Sequence, residues 1–159
     1  MSSGSLGPPP DQGRAVAVSR GDRDRALEAM HALEAASGMA GSGRDQDWRE
    51  SVIAALEQVA AAIREQEVTY AHPESLMAQA ALDDPRLRTW VRQLHHRWSD
   101  LATTTQDLAG ELREAGSPGT RTIDDVREQV RWLSAALHHH RAREADLIFE
   151  ALGVDIAAS

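Results

Sequence analysis

Apolar residues recur along this chain at steps of three and four, the interval that lays a single stripe along an α-helix. The most regular run is Leu87, Val91, Leu94, Trp98, Leu101, Thr105, Leu108 and Leu112, in which steps of four and three alternate without a break. A second run, Ile123, Val126, Val130, Leu133, Leu137, His140, Glu144, Leu147 and Ala151, keeps the same rhythm throughout. A third, Trp48, Val52, Leu56, Val59 and Ile63, lies within a segment from about Gln46 to Tyr70, and a shorter periodic segment runs from about Asp22 to Ser37. The helix breakers fall between these segments, in the loop Gly38 to Gly43, at Pro73, at Pro85 and in Gly116-Ser117-Pro118-Gly119. After His72-Pro73 the pattern predicts a short helix from Glu74 to Leu82. The next long helix opens at Asp83-Asp84-Pro85, where an acidic cap and a first-turn proline suit the unbonded amides, and runs to about Ala115. The last begins near Thr122, with Asp124 and Asp125 favourably placed by the helix dipole. No segment alternates with the period of a strand. Four amphipathic helices with seam-type stripes and short connections are best buried as an all-α, up-down-up-down four-helix bundle.

With one Phe and one Tyr in 159 residues, the filling of such a bundle falls to Leu, Val, Ala and Trp. On this pattern Leu94, Trp98, Leu101, Val130, Leu133 and Leu137 form the core, and Arg127 lies at the surface. Residues 1–20, with Pro8, Pro9 and Pro10 among Gly and Ser, cannot bury enough apolar surface to offset their ordering entropy and read as a disordered tail. Residues 21–159 read as a single domain, long enough to bury one core without disulfides, and the absence of Cys excludes disulfide frameworks and thiolate metal sites. A formal charge of −8 argues against a nucleic-acid partner, whose phosphates are held by clustered cations. No stretch approaches the roughly 20 apolar residues that cross a bilayer, and Ala15 to Val18 is too short for the core of a signal peptide. No membrane association and a cytoplasmic location are therefore expected. All 17 cations are Arg and there is no Lys or Asn, the bias of GC-rich coding DNA, which points to a bacterial source.

The sharpest chemical feature is that His140 and Glu144 take over the stripe of the last helix at consecutive positions one turn apart. Both side chains should point inward. A buried His and Glu are costly unless paired, hydrogen-bonded or bound to a metal, and His-x-x-x-Glu on one helix face is a chelating spacing. The plain alternative is an i,i+4 hydrogen bond near the end of the bundle. Counting turns places Gln66 or Glu67 of the second helix, His95 or His96 of the third and His31 of the first at a similar depth. His138 and His139 flank the seam and should be partly exposed. Trp90 and Trp132 lie beside core stripes, where a Trp either widens the core or forms a contact with a second copy or another protein. Nothing marks a nucleophilic enzyme: Cys is absent, and there is no Gly-flanked Ser elbow, phosphate loop or dinucleotide fingerprint.

The run His140-Arg141-Ala142-Arg143-Glu144-Ala145-Asp146-Leu147-Ile148-Phe149-Glu150-Ala151, followed by Val154-Asp155-Ile156, resembles the last helix of bacterial hemerythrin-like cation-binding domains. The resemblance spans roughly residues 22–157 in the order of its parts and is specific in the last helix. It implies a four-helix bundle that binds non-haem iron through inward His and carboxylates and acts in iron, oxygen or redox handling. It carries the fourth-helix pair onto His140 and Glu144 and a first-helix ligand onto His31. Two further positions where it implies ligands hold Ala62 and Trp98, so a full two-iron set is not expected. The reduced set is one metal held by His31, His140, Glu144 and a second-helix carboxylate, Glu67. The other reading of the chain is a metal-free helical interaction module that associates through its Trp-bearing face.

Overall fold

The computed structural model describes residues 10–39, 45–114 and 122–157. The described residues form five helices and no strand: α1 Pro10–Gly38, α2 Asp45–Ala71, α3 Leu76–Asp83, α4 Pro85–Glu114 and α5 Ile123–Ala157. The helix starts are written in local chemistry. Asp84 is extended and its carboxylate accepts from the Arg86 amide at 2.9 Å, capping α4 ahead of Pro85 as the sequence predicts. Thr122 and Asp125 form a reciprocal box, each side-chain oxygen accepting from the other's amide at 3.1 Å, which fixes the start of α5. Ser75 sets the start of α3 two residues later than expected: its hydroxyl accepts from the Ala78 amide at 3.1 Å and donates to the Tyr70 carbonyl at 2.7 Å.

The first helix departs from expectation. It begins at Pro10, so residues 10–20, read above as tail, are helical, while residues 1–9 lie outside the described residues. A proline is accommodated in a first turn, and the stretch that follows has no apolar stripe from which a helix could be read. No helix among the described residues is long and apolar enough to cross a membrane.

The long helices pack in a closed ring of neighbours: α1 on α2 and α5, and α4 on α2 and α5, with α3 set mainly against α4. α2 and α4 run antiparallel, as do α1 and α5. Glu57 pairs with Arg113 and Arg64 donates to Gln106 at 2.6 Å, so later residues of α2 meet earlier ones of α4. Glu34 meets Ser134, and Arg127 Nε donates to the Ser37 carbonyl at 2.8 Å, which sets α1 against α5 in the same sense. Every member of the α2 and α4 stripes is buried, as are Val126, Val130, Leu133, Leu137, His140, Glu144 and Leu147 of α5, with Ile123 and Ala151 half-buried. Arg127 is the exception to the expected surface: it is half-buried, because the Ser37 carbonyl at the end of α1 accepts both its Nε and, at 3.1 Å, Trp48 Nε1. Trp90 is half-buried against the core, whereas Trp132 is 54% exposed.

Candidate functional site

A polar cluster interrupts the apolar interior where α2, α4 and α5 meet. His140 is 2% exposed, and Glu144 and Gln66 are fully buried. His140 and Glu144 lie on one face of α5 because four residues make roughly one turn. Gln66 reaches them from α2, on the far side of the core. Its amide nitrogen lies 3.2 Å from each Glu144 oxygen and donates at 2.7 Å to the Tyr70 hydroxyl, one turn further along α2. From α4, Trp98 meets the His140 ring edge-on, with centroids 4.0 Å apart and planes at 66°.

The electrostatics single out His140. Burial pushes its pKa down to about 4, and the positive charges of Arg97, His139, Arg143 and His95 push in the same direction. The ring is therefore neutral at pH 7, with one nitrogen a donor and the other an acceptor. Neither nitrogen has a hydrogen-bond partner among the described residues, and the same holds for Gln66 Oε1 and Trp98 Nε1. A buried polar group left unpaired costs about 1–3 kcal/mol, so these atoms call for a partner from outside the chain, water or a bound species. Thr105, also buried on the α4 stripe, is different: its hydroxyl donates to the Leu101 carbonyl at 2.7 Å and is satisfied within its own helix.

The four expected ligands are distributed unevenly. His140 and Glu144 face inward together, as their stripe positions predict. Glu67 is half-buried beside Gln66, with Oε2 at 3.8 Å from Arg64 and Oε1 buried without a hydrogen-bond partner. His31 is exposed on α1. Among the histidines expected at similar depth, His95 is half-buried, its pKa lowered by burial while Glu67 pulls the other way, and His96 is exposed at 3.8 Å from Asp100. His138 and His139 are exposed. The sequence reading missed Tyr70, whose place one turn after Gln66 was the available signal, and it treated Trp98 as a lost ligand rather than as the ring that packs on His140.

These residues do not fit a two-iron centre. Buried Ala62 offers no donor atom, Trp98 fills the inward position on α4, and among the described residues no three His, Asp or Glu side chains converge. Compared with protein families, with curated proteins and with solved structures, the chain matches none.

Proposed function

We propose that α1, α2, α4 and α5 form an up-down-up-down bundle of the hemerythrin-like kind, with the metal site reduced to a single ion at His140 and Glu144, serving iron, oxygen or redox handling. The observation that carries this reading is a neutral imidazole, both nitrogens unpartnered, buried one turn from a buried carboxylate. A neutral ring needs no deprotonation to coordinate, and an imidazole with a carboxylate suits ferrous iron among the borderline cations. Such an ion, when bound, supplies one-electron redox chemistry. The chain's own part is to hold and shield. Gln66 fixes the Glu144 carboxylate from across the core, Tyr70 anchors Gln66, and Trp98 covers the ring of His140 on the α4 side. The antiparallel order of neighbouring helices supports the bundle topology.

A ligand that binds only the folded state raises its melting point. Adding ferrous iron to metal-stripped protein under anaerobic conditions should therefore raise Tm, with the rise lost in His140→Ala and kept in His138→Ala. An unmoved wild-type midpoint would sink the single-ion site.

A further inference from the structure

α4 and α5 pack less extensively than α2 and α4, and the gap between them opens as a cleft of about 230 Å³. Its walls are apolar, formed by Leu101 of α4 and by Ala136 and the half-exposed ring of Trp132 on α5. Arg97 and His139 stand among its lining, and the buried ring of His140 lines it as well. We propose that this cleft binds a small aromatic carboxylate, its ring against Trp132, Leu101 and Ala136 and its carboxylate toward Arg97, His139 and the inner imidazole.

Four observations lead there. The volume is below the range of drug-sized ligand pockets, about 300–1,000 Å³, but above the roughly 150 Å³ apolar cavity that accepts benzene, which leaves room for one ring and a small substituent. The walls call for a flat apolar body, and an exposed indole offers it a stacking face. Arg97 has no ion-pair partner among the described residues, although the chain carries eight more acids than Arg residues, 25 against 17. Asp100, also in the lining, is instead turned to His96 at 3.8 Å. Finally, His140 is almost completely buried yet reaches the cleft, and its nitrogens have no partner in the protein. The cleft shares His140 with the proposed ion site, so it is tested on metal-stripped protein, where failure of benzoate binding and failure of iron binding are separate results.

The test is a titration of metal-stripped protein with sodium benzoate at constant ionic strength, followed through the indole N–H signals of the four Trp residues. The expected result is saturable shifts of Trp132 and Trp98 with Trp48 unmoved. Arg97→Gln should weaken binding at least about tenfold, the scale of a lost charge-assisted hydrogen bond. Ala136→Phe, which fills the cleft, should abolish it, and benzyl alcohol should bind more weakly than benzoate. No saturable shift at Trp132 would overturn the proposal. So would benzoate binding indifferent to Arg97→Gln, or phosphate binding as tight as benzoate, which would make the cleft a simple anion site.

Discussion

His140 is held where its charged form cannot be solvated, and that makes it a source of acid sensitivity. Between pH 6.5, its ordinary pKa, and about 4, its value in the folded chain, the unfolded state takes up a proton that the folded state refuses. The stability contributed by the neutral ring is therefore complete above pH 6.5 and is lost as pH falls toward 4, by about 3 kcal/mol in all. Urea midpoints of metal-stripped protein across that range should fall more steeply for the wild type than for His140→Leu; parallel profiles would mean that the ring is solvated. The inward pair was legible because His140 and Glu144 stand on an unbroken heptad, and Gln66 followed from counting turns. His31 was misplaced by the same counting, since it lies off the stripe of its helix and turn counts cannot tell a face from its opposite.

At the scale of the helices, the most informative contrast is between three positions on α5. Leu133 is 2% exposed, so Leu133→Ala should cost about 2–5 kcal/mol through lost transfer energy and the cavity left behind. Arg131 is exposed, and Arg131→Ala should cost little. Arg127→Ala should fall between them, because its guanidinium is bonded to the end of α1 through Ser37. Equal denaturation midpoints for Leu133→Ala and Arg131→Ala would show that the facing of α5 is wrong. Helices α2, α4 and α5 could be read closely from the sequence because their stripes are continuous, and the starts of α3, α4 and α5 carry Ser, Asp and Thr caps. The start of α1 could not, because residues 10–20 have neither a stripe nor a marked cap. The bond from Arg127 to α1 was hidden for a related reason: periodicity identifies the face of a helix but not the carbonyl end that another helix brings beside it.

At the scale of the molecule, the described helices enclose an apolar core interrupted by a buried polar cluster, and the cluster is what a purely structural protein has least reason to keep. Leu or Phe at positions 66, 140 and 144 would bring no buried polar atoms of their own, and cores generally tolerate such replacements. The retained His, Glu and Gln are accounted for if something binds among them. The most direct measurement is the iron content of the chain purified under anaerobic conditions, for the wild type and for His140→Ala. The account predicts about one iron per wild-type chain, none in His140→Ala, and no oxo-bridge absorption. Two irons per chain, or equal content in the two proteins, would contradict it, and no iron in either would return the chain to a metal-free helical module.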